Sequence, residues 1–206
     1  MERHPSLNGR MWTILVDWLH EVCSDFRLHD NTLFMAVHLL HTALHHVPPI
    51  SPNRLQLYGV TALFMASKYE EVLSPELRDF VYITDNAVTR EQILAVEAEI
   101  LALHWPIFGT LYERMINLDS AAATILAMVA ISRADLWSLQ TTDVADACLI
   151  ADGWTHHTRS RTRLHQKNEL YRKLCDVSHL PDTSKGIKQR ILKAQGLLPC
   201  FTCLHI

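Results

Sequence analysis

Between Ser51 and Glu71 the sequence encodes a helix with no polar middle. Leu57, Gly59, Val60, Ala62, Leu63, Ala66 and Ser67 leave it apolar or small on every side of a 3.6-residue period. Such a helix is buried all round, and its small side chains let neighbouring elements come close to its backbone. Ser51 and Pro52 open it, with proline at a position where a missing N–H costs nothing. A chain holding this segment needs partners on all sides, and the sequence around it supplies them as helices.

In the first helix Ile14, Leu15, Trp18, Leu19 and Val22 recur at spacings of three and four and form one apolar stripe. Asp30 or Asn31 is a candidate cap for a second helix through about His45, which Pro48 and Pro49 end. Ser74, Pro75 and Glu76 predict a short fourth helix with serine as cap and proline first inside. Thr89 with Gln92 three residues on predicts a capping box at the start of a fifth. A weaker second set follows, at about 110–118, 120–134, 162–177 and 184–195. Its centre runs from Thr141 or Thr142 to about His157, with Ala145, Ala147, Ala151 and Gly153 as the small residues. No hairpin signal or alternating strand pattern appears, so the predicted fold is all-α, in two sets of five helices.

Composition narrows the class. Apolar residues at 49% and charged residues at 20% describe a globular chain, and no apolar run approaches the roughly 20 residues that span a bilayer. No membrane partner or secretory signal is expected. The five cysteines are scattered and read as ordinary thiols of a reducing compartment, which implies nucleus or cytoplasm. The net charge of −3 hides an acidic first half and a basic excess after residue 158, in Arg159, Arg161, Arg163, Lys167, Arg172, Lys173 and the group from Lys185 to Lys193. These cations are read as the solvated face of two late helices rather than a nucleic-acid patch. His38, His41 and His45 share a helix face but lack a neighbouring Cys, Asp or Glu. Cys200, Cys203 and His205 hold half of a zinc-site spacing, so no metal is assigned.

Three runs carry a family resemblance: Met-Trp-Thr-Ile-Leu-Val-Asp-Trp-Leu-His-Glu-Val at 11–22, Ala-Ser-Lys-Tyr-Glu-Glu at 66–71 and Tyr-Ile-Thr-Asp-Asn at 82–86. Together they resemble the first cyclin box, in wording like that of the mitotic (B-type) cyclins. The resemblance implies a cyclin fold of two five-helix boxes, an N-terminal box at 10–107 and a trimmed cyclin-like box at 108–206. It implies a non-catalytic regulatory subunit that binds and activates a cyclin-dependent protein kinase, with no cofactor. Lys68 and Glu97 fall where cyclins contact the kinase around its regulatory helix, which carries the glutamate that pairs with the ATP-binding lysine. Tyr69, Val72 and Leu101 fall where the family presents apolar surface around that pair. Met11, Leu15, Trp18 and Gln56 match the patch with which several cyclins hold Arg-x-Leu substrates or inhibitors, and Glu21 matches the carboxylate that pairs with the motif's basic residue.

The chain also departs from the family. Trp12 and His41 stand where cyclins carry an Arg and an Asp paired in the interior, and Thr42 replaces a following Arg; the joint change reads as a repacked box. The fifth helix is one residue short between Leu101 and Trp105, which touches the roles of Trp105 and Ile107. About ten residues precede the first box, so the chain reads as a short, divergent member: a natural reduced or virus-borne form, or a fragment. Two other readings stay open at this level: a cyclin-like adaptor or decoy without kinase activation, and a cyclin-fold transcription-factor core.

Overall fold

A computed structural model of the chain describes residues 3–103, 121–133, 147–148, 170–175 and 185–193. Every regular element among them is an α-helix. The chain divides into two compact units, Met1–Gly109 and Thr110–Ile206.

The first unit is built on α1 (Gly9–Asp25), α2 (Asp30–His46), α3 (Pro52–Glu70), α4 (Leu77–Ile83) and α5 (Arg90–Leu101). The helix without a polar face, α3, is the centre, and α1, α2, α4 and α5 all pack on it. Its residues from Leu57 to Phe64 are buried without a break. At Gly59 α1 packs close: a Cβ there would stand 2.8 Å from Leu15 Cδ1, so any larger residue would oblige the Leu15 side chain to shift. Beneath α4, Phe80 is fully buried and meets Phe26 and Phe64 edge-on, with ring centroids 5.5 and 5.3 Å away.

Local chemistry sets the helix ends. Asn8 caps α1 by accepting from the Met11 N–H at 2.9 Å. Thr89 and Gln92 form the reciprocal box expected of them, at 3.3 and 2.8 Å. Two caps differ from the sequence expectation. The N-cap of α2 is His29 rather than Asp30 or Asn31, and its Nδ1 accepts from the Asn31 N–H at 3.4 Å. The N-cap of α4 is Glu76 rather than Ser74; Asp79 Oδ2 accepts from the Glu76 N–H at 2.8 Å, while the Ser74 hydroxyl is taken up by Ser67, 2.9 Å away. The chain leaves α4 through Asp85 and Asn86 at φ 55° and 57°, a left-handed turn that these two residue types tolerate.

A third difference concerns α1. Trp12, Leu15, Val16, Leu19, Val22 and Cys23 make the buried face, and Ile14, placed in that stripe by spacing alone, is 41% exposed. Two residues from Trp12 is about 200° around a helix, which turns Ile14 to the far side.

Residues 3–7 are strapped over the end of α2. Arg3 donates to the His45 carbonyl, and buried His4 lies with Nε2 2.6 Å from the Leu44 carbonyl while its Nδ1 accepts from the Ile50 N–H at 3.1 Å. These bonds serve carbonyls that a helix C-terminus leaves without intrahelical partners.

In the second unit α6 (Ala121–Ser132) is buried from Leu126 to Ser132, and α7 (Lys185–Lys193) packs on it, with Ile187 and Ile191 inward at a four-residue spacing. Arg190 donates to Met128 Sδ at 3.0 Å. Residues 170–175 are helical, and Arg133 donates to the Lys173 carbonyl at 2.8 Å. The helix expected at 110–118, most of those at 141–157 and 162–177, and the Cys200, Cys203, His205 group lie outside the described residues.

Phe80 supplies the test of this packing. Replacement by alanine removes a fully enclosed ring and is expected to cost about 3–5 kcal/mol, read by chemical denaturation. A loss below about 1 kcal/mol would contradict the enclosure of α4 against α3.

Candidate functional site

Lys68 stands in the last turn of α3 and Glu97 in the middle of α5, and the packing of those helices brings the two side chains into an ion pair. The pair is asymmetric: the lysine side chain is 43% exposed and the glutamate 14%. Lys68 Nζ also lies 4.1 Å from the centre of the Phe64 ring, a cation–π contact that steadies it over the helix. The pair closes one side of a groove of about 310 Å³, whose walls are Met35 and Leu39 of α2, Met65 and Tyr69 of α3, and Ile100 and Leu101 of α5. Tyr69 and Leu101 are exposed at its rim.

A half-exposed ion pair of this kind is worth only about 0–1 kcal/mol to the fold. Its ends are therefore available at little cost: an ammonium with three donors and a carboxylate, set in an apolar trough. That suits capture of backbone from another protein. Among the described residues no group of three or more His, Cys, Asp or Glu side chains is arranged to hold a metal ion.

Val72 lies outside the groove, just past α3. With Leu73 it forms a tip that is 99% and 89% exposed. Glu71, directly before it, turns back to α2, where Oε1 accepts from the His29 N–H at 2.8 Å and from the Thr32 hydroxyl. Sequence pattern alone does not single out Leu73; its signal is its place beside Val72, between two polar positions.

The second group of sequence-assigned residues lies on α1 and α3. Met11 and Trp18 are half-buried, Glu21 is exposed, and Gln56, one turn before Gly59 on α3, is half-buried. Leu15 is buried against Gly59, so it contributes packing between the helices. Ile14, missed by the stripe, is the exposed apolar side chain between Met11 and Trp18, three and four residues from them.

The two exchanged positions differ in burial. Trp12 is fully buried, and His41 sits half-buried on α2 with its ring centroid 4.4 Å from that of His45. Burial, with the neighbouring His45 and His38, holds the His41 imidazole down to about 3. Burial lowers His38 as well.

Comparison with known proteins fits this architecture. Residues 1–107 match the family described as "Cyclin, N-terminal domain". This chain is a member of the cyclin family. Human G2/mitotic-specific cyclin-B2 is 56% identical over 95 residues, which is 46% of this chain and 24% of that protein. The G1/S-specific cyclin-E of Drosophila melanogaster is 44% identical over 108 residues, 52% of this chain and 15% of that one. The matched region thus spans a quarter or less of these relatives. A viral cyclin from herpesvirus saimiri superposes with a TM-score of 0.60 at 18% identity, covering 94% of this chain and 89% of that one, and so shares its fold. No described helix is long and apolar enough to cross a membrane.

His41 generates a pH prediction. Its folded value near 3 lies below an unfolded value near 6.5, so the unfolded chain binds the extra proton. Its contribution to stability is full above about pH 6.5 and declines as pH falls toward 3, reaching a loss of about 2 kcal/mol at pH 5. Denaturation midpoints of the parent should therefore fall between pH 7.5 and pH 5, and those of His41→Gln should fall less. Equal slopes in the two proteins would contradict the assignment.

Proposed function

We propose that this chain is a regulatory subunit that binds and activates a cyclin-dependent protein kinase. Residues 10–107 act as the kinase-binding box and 108–206 as a second, trimmed cyclin-like box. The observation that carries this reading is the Lys68–Glu97 pair set in the apolar groove between α2, α3 and α5. Lys68 and Glu97 would engage backbone around the kinase's regulatory helix, and Tyr69, Val72 and Leu101 would supply the desolvated area around them.

Activation of this kind is a population shift. The subunit favours the active kinase arrangement by binding it better than the inactive one, and moving 1:99 to 99:1 takes about 5.5 kcal/mol of differential affinity. An interface of ordinary size with a few buried anchors supplies that. Met11, Leu15, Trp18, Glu21 and Gln56 are proposed as a separate surface for Arg-x-Leu substrates or inhibitors, with Leu15 acting as its packed floor and Ile14 added to its rim. Nucleus or cytoplasm is the proposed site of action.

The test reverses the pair as a unit. Lys68→Glu with Glu97→Lys keeps an internal ion pair and presents the wrong sign at each end to a partner, so the fold should survive and kinase affinity should fall at least about 100-fold. Trp18→Ala with Gln56→Ala should leave kinase binding intact and slow phosphorylation of Arg-x-Leu substrates alone. The readouts are a binding titration against a panel of cyclin-dependent kinases and parallel assays on a short peptide and an Arg-x-Leu protein. A reversed pair that activates as the parent does would sink the assigned interface, and binding without activation would replace the reading by an adaptor.

A further inference from the structure

We propose that Glu71, together with the Ser67–Ser74 hydroxyl pair, positions the Val72–Leu73 tip for insertion into the partner kinase. This deepens the kinase-binding reading and rests on it. The stretch from Glu71 to Glu76 joins α3 to α4, and it is tied down on both sides of the tip. On one side the Glu71 carboxylate reaches α2, 42 residues back, and accepts from the His29 N–H at 2.8 Å and from the Thr32 hydroxyl. The carboxylate thus lies at the N-terminus of a 17-residue helix, where the helix dipole is positive and favours an anion. On the other side Ser74 Oγ lies 2.9 Å from Ser67 Oγ, which itself donates to the Phe64 carbonyl at 2.9 Å.

Between these ties Val72 and Leu73 are 99% and 89% exposed, so they add almost nothing to the unit's own core. Two bulky apolar side chains held in water by polar ties on either side are arranged for a surface outside the unit. Lys68 and Tyr69, which line the groove, lie four and three residues before Val72, so the tip follows the groove directly in the chain. A pinned tip loses less freedom on binding than a loose one, which is the advantage such ties confer.

The experiment is a double-mutant cycle read as kinase affinity on folded, monodisperse proteins. Glu71→Ala is expected to weaken binding about 10-fold, whereas Glu71→Gln, whose amide oxygen still accepts both bonds, should stay within about 3-fold of the parent. On a background of Val72→Ser with Leu73→Ser, Glu71→Ala should cost nothing further, because the tip through which it acts is gone. Ser74→Ala carries the same cycle should Glu71→Ala fail to fold. Parent-like affinity in Glu71→Ala, or an undiminished loss on the tip-less background, would overturn the proposal and leave the kinase-binding reading standing. A parent that binds no kinase in the panel would remove both.

Discussion

Everything in the first unit depends on the enclosure of α3. Because that helix has no face to offer water, the four other described helices of the unit close around it, and Leu15 of α1 packs directly over Gly59. The same enclosure determines what is left outside. At its C-terminal end α3 runs past the packed core, so Lys68 and Tyr69 emerge toward solvent beside α2 and α5. The groove is the place where a fully buried helix comes to the surface.

The polar contacts follow from this geometry. Lys68 meets Glu97 because α3 and α5 are packed together, and Glu71 meets the start of α2 because α3 ends alongside it. The half-exposed Lys68–Glu97 pair adds little to stability beyond what burial supplies. Both contacts orient groups that the core does not need, which is how a stable bundle acquires a surface with defined chemistry.

Much of this was legible in the sequence, for local reasons. The all-round small and apolar pattern identifies α3, and Thr89 with Gln92 marks the start of α5, because those signals lie within a turn of the structure they set. The caps of α2 and α4 were not legible: one is completed by Glu71 from 42 residues away, and at the other Ser74 is diverted to Ser67. Ile14 was misplaced because a stripe read by spacing does not say which of two adjacent apolar residues faces inward until Trp12 is known to be buried. Leu73 carried no periodic signal, since it lies in a short connection. Lys68, Glu97, Tyr69 and Leu101 were reached through resemblance, and the groove that gathers them is a property of three helices together.

The central claim is that the partner kinase lies on the α2, α3 and α5 groove and the tip beyond it. Amide hydrogen exchange of the whole chain, free and saturated with a cyclin-dependent kinase that it binds, tests this directly. The expected result is slowed exchange in residues 65–74 and 97–101, with the α1 surface around Met11 and Trp18 unchanged. Protection confined to α1, or a saturated complex with no change between residues 65 and 74, would contradict the account.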